Sequence, residues 1–377
     1  MQELVEFPYN PVTFHEVDFD YSNPLLFVCP DNEFDRMGYT NWLSKTRVWY
    51  IEIPRKIYHF FKKKTAMRLS ELDFAKGVLI ILMVMFHLTY SGTFMPQTVD
   101  PFVYSFHVSS FMLLSGFLFK PDKSWSAFWK SYRYMLLLYL LFDLADYLLV
   151  ATLGGIMGSS SQLHLGVSEL LNVIFISPAG TYWYIHSLLW MYLAYWLIHR
   201  LPINGGGKLI LLLVVLWAVN INEKLPWNMY FAFGCAMRML SMKIEKPLIV
   251  FSPTWVAFFP LVLIALFNKS FTSDSLTGLA TALSFLSLIM WVYGHCGNKV
   301  SQFVNYIGRN TLSILLFSPF LTIFTKFAHR FFEFDPSEIV YAVFSTTMVI
   351  MICLFAAFVW DKIGIKKIFG RDLYCKF

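Results

Sequence analysis

Residues 72–87 read LDFAKGVLIILMVMFH. Ten residues without a charge separate Lys76 from His87, an apolar run that suits a helix in lipid. In a helix, eleven positions amount to three turns plus roughly 20°, so Lys76 and His87 share a face. At about 1.5 Å per residue they lie roughly 16 Å apart along the axis. Asp73 falls close to the same stripe. One polar stripe on an otherwise apolar helix faces protein or water, because an unpaired charge in hydrocarbon costs about 2.5–3.5 kcal/mol on insertion scales.

The rest of the chain agrees with a lipid solvent. Of its 377 residues, 57% are hydrophobic, 19% aromatic and only 14% charged. A soluble domain carries about 25% charge, so too few charged groups remain to cover a soluble enzyme. The same figures exclude disorder and a coiled coil. The five cysteines are scattered without a CxxC pair, so neither a disulfide framework nor a metal site is expected. No basic n-region with a short apolar core opens the chain, and the first hydrophobic segment is expected to stay as an uncleaved anchor.

Three zones follow. Residues 1–44 hold eight acidic residues against Arg36 and read as an acidic cytoplasmic tail, where four prolines oppose a long helix. Residues 45–68 reverse the sign, with eight Lys/Arg interleaved with Trp49, Tyr50, Tyr58, Phe60 and Phe61. That mixture reads either as an interfacial segment on an anionic leaflet or as a plain positive-inside flank. Residues 69–377 read as a transmembrane domain. Candidate spans are 74–94, 102–119, 134–153, 182–199, 208–222, 227–241, 248–267, 275–294, 303–328 and 339–360, with a short helix over 165–176. The expected fold is therefore an all-α polytopic membrane protein of about ten transmembrane helices. With both termini cytoplasmic, the inner segments hold 24 Lys/Arg and the outer ones four, Lys224, Lys269, Lys326 and Arg330. The net charge of +6 then reflects orientation, and no nucleic-acid partner is expected.

Other ionisable groups fall inside spans. His107 lies near the outer end of span two, with Ser115 and Gly116 further in. Asp143 and Asp146, at i and i+3, share a face of span three. They suit an ion pair with a cation such as Lys76 or Arg133, hydrogen bonds from a histidine, or a proton relay or cation site. His186 sits one turn into span four, behind Trp183. Arg309 opens span nine, placed either to hold a phosphate or to anchor the helix. For the Lys76–His87 stripe two readings stand side by side. Lys76 faces anionic groups and His87 does proton chemistry deeper in, or Lys76 snorkels and His87 bonds between helices.

LDFAKGVLIILMVMFH (72–87), SFHVSSFMLLSGFLF (105–119), TYWYIHSLL (181–189) and YIGRNTLSILLFSP (306–319) together resemble the landmark segments of the acyltransferase-3 family of integral-membrane O-acyltransferases. The first two look most like the fucose 4-O-acetylase-related branch. The resemblance covers about residues 69–360, and its most specific piece is the basic-x10-His element. It implies that His87 is the histidine essential for acyl transfer and that Lys76 is the basic position opening that element. Phe106, His107, Ser115 and Gly116 match the second landmark, Trp183 the third, and Gly308, Arg309 and Asn310 the ninth-span motif. It further implies acetyl-CoA as cytoplasmic donor and a glycan acceptor outside. The sequence departs from the family at Val108–Ser109, where Met-Pro is common, at Leu138 before Tyr139, and at Ser318 before Pro319, where a histidine is common.

The expected function is transfer of an acetyl or other acyl group from acetyl-CoA to a sugar hydroxyl of a surface or lipid-linked glycan, by a multi-pass protein of the plasma (inner) membrane. The expected catalytic residues are His87, His107 and His186, with Lys76, Arg133 and Arg309 for the donor. Asp73, Asp143, Asp146, Ser115, Gly116 and Trp183 support them. Membrane lipids, a second copy of the chain and a cytosolic protein at the acidic tail are the further partners to look for. The runner-up is a proton-coupled secondary transporter of an anionic or glycan substrate, which intramembrane Lys, His and Asp suit equally; no internal repeat supports it.

Overall fold

A computed structural model of the chain describes residues 14–15, 27–28, 48–51, 70–88, 99–157, 165–218, 225–244, 253–267, 276–335, 337–365, 369 and 372–374. It divides into two units, Met1–Arg68 and Leu69–Phe377. In the first, β1 (Phe14–His15) and β2 (Phe27–Val28) each pair antiparallel with β3 (Val48–Ile51), which lies between them. The remainder of the acidic tail and of the basic aromatic segment lies outside the described residues.

The second unit is helical, with helices in every stretch read as a span. In chain order they are α1 (Ser70–Phe86), α2 (Val99–Leu118), α3 (Trp125–Met157), α4 (Val167–Phe175), α5 (Trp183–His199), α6 (Gly205–Ala218) and α7 (Leu225–Ile244). A 3-10 turn (Trp255–Ala257) then leads into α8 (Phe258–Phe267). There follow α9 (Leu276–His295), α10 (Asn298–Arg309), α11 (Thr311–Phe324), α12 (Lys326–His329) and α13 (Ile339–Ile363). By length and composition, three of the described helices can each cross a membrane: α3, α9 and α13. The bent pair α10–α11 makes a fourth if it is one span. Large apolar side chains left uncovered by protein, such as Val214 and Trp217 on α6, Leu266 on α8 and Phe355 on α13, give these helices an outer surface that suits lipid rather than water.

Over the expected span 303–328 the structure has two helices, which meet at Asn310 with a 75° bend and form either one broken span or a re-entrant turn. The physical reason is composition. α10 carries Lys299, Gln302, Asn305 and Arg309, so it is amphipathic, whereas α11 is apolar. The Asn310 side-chain amide donates to the Tyr306 carbonyl at 3.0 Å, bonding back across the break.

α1 is central. It packs against α2, α9, α10, α11 and α13. Glycines set two of the closest approaches. A Cβ at Gly77 would overlap the Val304 carbonyl, and one at Gly308 would overlap the Asp73 carbonyl and the Gly77 amide, so α1 and α10 meet backbone to backbone. Gly116 and Gly234 serve α2 and α7 in the same way, against Phe231 and Leu113. Leu373 and Tyr374 are tied to α11 and α13. The Leu373 and Tyr374 amides donate to Asp361, and Ser313 donates to the Leu373 carbonyl.

Candidate active site

The α1 stripe opens into one cavity of about 260 Å³. Lys76, Ile80, Met83 and His87 line it at i, i+4, i+7 and i+11, the periodicity of one helix face. Opposite stand His107, Val108, Phe111 and Ser115 from α2, Tyr184, Leu188 and Tyr192 from α5, and Thr311, Leu312 and Leu315 from α11. Most of the wall is apolar, with the polar groups gathered at a few points, as in sites that orient a ligand inside a hydrophobic shell.

At one end, His87 follows the last residue of α1. Its Nδ1 donates to the Met83 carbonyl at 2.8 Å, and the Nδ1 of His107 donates to Val103 in the same way, also at 2.8 Å. A ring nitrogen bonded to a carbonyl must carry the proton, so in both neutral rings Nε2 holds the lone pair. The two ring centroids are 6.3 Å apart and the planes nearly perpendicular. Tyr104 packs against both rings and donates its hydroxyl to the Phe86 carbonyl at 2.9 Å, capping an acceptor at the end of α1. The Nε2 of His107 is buried without a hydrogen-bond partner.

At the other end, Lys76 Nζ sits 2.7 Å from Asp73 Oδ1, and Arg309 Nε lies 3.8 Å from Asp73 Oδ2. Two cations converge on one carboxylate. The cluster keeps a net positive charge, and Lys76 remains part of the cavity wall. Between the two ends, Ser115 Oγ and the Tyr184 hydroxyl are hydrogen-bonded at 3.0 Å. Trp183 lines the cavity and packs on Trp227.

A second cavity of about 230 Å³ shares His87, Met83 and Thr181 with the first. Asp146, Gly180, Ser318 and Thr322 are among the residues that line the rest of it. His87 therefore stands at the junction of two cavities.

The carboxylates of α3 take separate roles. Asp143 Oδ1 accepts the Ala179 amide at 2.8 Å and holds the 177–181 loop against α3, while Asp146 faces the second cavity. Asp73 is the carboxylate that Lys76 pairs with, so an Asp143 or Asp146 ion pair with Lys76 is not what the structure shows.

Two donor candidates and one histidine lie elsewhere than the sequence reading grouped them. Arg133 is exposed on α3 and does not line the cavity. Arg309 reaches Asp73 rather than the cavity wall. His186 lines neither cavity; its Nε2 accepts the Trp190 indole N–H at 3.0 Å, and its ring packs on Tyr139. The reason is helical phase. Tyr184, Leu188 and Tyr192 face the cavity at i, i+4 and i+8, and His186 stands about 200° around the helix from Tyr184. Gly116, read as a supporting residue, belongs to the α2–α7 crossing.

Sequence reading passed over Tyr104, Tyr184 and Thr181. Tyr104 precedes His107 by three positions and Tyr184 starts the i, i+4 row that ends in Tyr192, so spacing carried both signals. Thr181 sits in a loop, where periodicity is silent. Among the described residues no group of three His, Cys, Asp or Glu could hold a metal.

The site is thus a half-buried histidine, His87, at one end of an apolar cavity in a helical membrane protein, with a lysine at the other end. The chain belongs to the acyltransferase-3 family, whose model, described as an acyltransferase domain, matches residues 69–358. It is an acyltransferase. No curated protein and no solved structure matches the chain.

Proposed function

We propose that the protein is an O-acetyltransferase that moves an acetyl group from acetyl-CoA on the cytoplasmic side to a sugar hydroxyl of a surface or lipid-linked glycan. The observation that carries this reading is that Lys76 and His87 line one cavity from opposite ends. Their separation of roughly 16 Å suits an extended pantetheine arm. The phosphates of the donor meet Lys76, with Arg309 behind Asp73 adding positive charge. The apolar wall takes the arm, and the thioester reaches His87.

There Nε2 of His87 accepts the proton of the acceptor hydroxyl, whose oxygen attacks the thioester carbonyl. The C–S bond breaks, and the departing thiolate takes the proton back from the imidazole. The same lone pair supports a covalent variant, in which Nε2 attacks the thioester carbonyl, the C–S bond breaks to release the thiolate, and the acyl-imidazole passes its acyl group to the hydroxyl oxygen, whose proton goes to the thiolate. Acid-quench trapping of labelled protein separates the two. Family membership favours transfer over the transport reading.

Span number and orientation belong to this proposal too. Ten helices that cross, with both termini cytoplasmic in the inner membrane, give the 24-to-four distribution of Lys/Arg. The resemblance of residues 72–87 and 105–119 to the fucose 4-O-acetylase-related branch belongs to the same proposal. The test is to supply radiolabelled acetyl-CoA to inverted membrane vesicles holding the protein, and to compare surface glycans by mass spectrometry with and without it. Label on glycan, and a loss of acetyl-sized mass when the protein is removed, are the expected results. Uptake of label without transfer would sink the reading.

A further inference from the structure

We propose that the second cavity is the acceptor subsite, that it takes a neutral polyhydroxylated ligand of the sugar class, and that Asp146 is its binding residue. The inference rests on the acyl-transfer reading and adds to it a place and a residue for the second substrate.

Three observations carry it. First, the two cavities share His87, Met83 and Thr181, so a group in each reaches the same imidazole from two directions. A transfer reaction between two substrates needs that arrangement, with the base beside both reacting atoms. Second, the cavities differ in charge. Lys76 lines the first and Asp146 the second. A carboxylate repels the phosphates of the donor, and a hydroxyl-rich neutral ligand offers it O–H donors. Charge therefore sorts the two substrates into separate cavities. Third, the polar groups of the second cavity come from separate elements. Asp146 projects from α3, Thr181 from the loop before α5, and Ser318 and Thr322 from α11. Asp146 is only 4% exposed, and Thr181 Oγ1 is buried without a hydrogen-bond partner. Polar groups that converge on one space suit a ligand with several hydroxyls, and one of those hydroxyls would satisfy Thr181 Oγ1.

Backbone conformation keeps Asp146 in place. Gly180 has φ +50°, and a Cβ there would come within 2.8 Å of Asp146 Oδ2. The Asp143–Ala179 hydrogen bond fixes the same loop. Asp143 is the positioning residue here and Asp146 the one that faces the ligand.

The test uses the full chain in lipid nanodiscs. Labelled acetyl-CoA is the donor, and the acceptor probe is a glycan extract from cells lacking the protein. Both substrates are titrated for the wild type, Asp146→Asn, and Val150→Phe, which fills the cavity without replacing any of its polar side chains. Binding of labelled acetyl-CoA to the nanodiscs is followed in parallel and reports a folded donor site. The expected result is a rise of about tenfold or more in half-saturating acceptor for both variants. Half-saturating acetyl-CoA stays within about twofold. Acceptor saturation within twofold of wild type in both variants, or a rise in half-saturating donor instead, overturns the subsite. No label transfer by the wild type overturns the acyl-transfer reading itself, and that outcome is separate because it appears before any variant is compared.

Discussion

His87 Nδ1 donates to the carbonyl oxygen of Met83, one turn back on α1, at 2.8 Å. The bond sets the tautomer, so the Nε2 lone pair is the reactive one, and it sets the ring's angle at the junction of the two cavities. Loss of the imidazole should remove acyl transfer without loss of insertion. His87→Ala is expected to lower the rate by about a hundred- to ten-thousand-fold. His87→Asn should be no better, because an amide cannot take the proton. Label transfer at equal protein content in membranes checks this, and an active, well-inserted His87→Ala protein would sink the assignment.

Lys76 and Asp73 form a 2.7 Å ion pair at the far end of the first cavity. The pair must loosen for Lys76 to meet a phosphate. Lys76→Ala should raise the acetyl-CoA KM about tenfold or more, the worth of a charge-assisted hydrogen bond. Lys76→Arg should keep most of the affinity. Asp73→Asn should lower the donor KM, since it frees both cations. Initial rates against acetyl-CoA concentration test all three, and a KM for Lys76→Ala equal to wild type counts against a donor role.

Gly308 lies where α10 crosses α1, and a Cβ there would overlap the Asp73 carbonyl. Backbone cannot step aside as a flexible side chain can. Gly308→Ala should therefore part the helices, displace Asp73, and lower the detergent melting temperature. Gly294→Ala meets open space and should be tolerated. Thermal unfolding of the two purified variants makes the comparison, and equal melting temperatures would refute the crossing.

His186 accepts the Trp190 indole N–H at 3.0 Å and lines neither cavity. His186→Ala should cost stability, about 1 kcal/mol for one hydrogen bond within α5. Activity per folded molecule should stay within about threefold of wild type. A hundredfold loss of kcat in a fully folded His186→Ala protein would return this histidine to the catalytic group.

The stripe on α1 was legible because it is local. A helix turns by a fixed angle, so spacing alone puts Lys76 and His87 on one face, and the cavity wall follows that row. The breaks in the chain were legible for the same reason, apart from the bend at Asn310. There the apolar pattern of α11 ran on from an amphipathic α10, and a window of hydropathy does not register a change of direction. The grouping of His186 with His87 and His107 went astray because depth in the membrane is readable from sequence but the rotation of one helix against another is not. Asp143 and Asp146 show the same limit. They share a face of α3, yet one binds a loop amide and the other faces a cavity.

By itself the sequence determined a lipid-embedded helical chain, the stripe from Lys76 to His87 and the histidine that is the leading catalytic candidate. The first two rest on composition and on the fixed pitch of one helix, which no neighbour alters, and the third on the family resemblance of residues 72–87. Only the tertiary structure decided that His107 joins His87 while His186 does not. It also decided that Asp73 holds Lys76 and Arg309 together, and that a second cavity with Asp146 opens beside the same imidazole. Those relationships depend on how helices rotate and cross. The crossings are governed by glycine contacts such as Gly77 with Gly308, between residues more than two hundred positions apart in the chain.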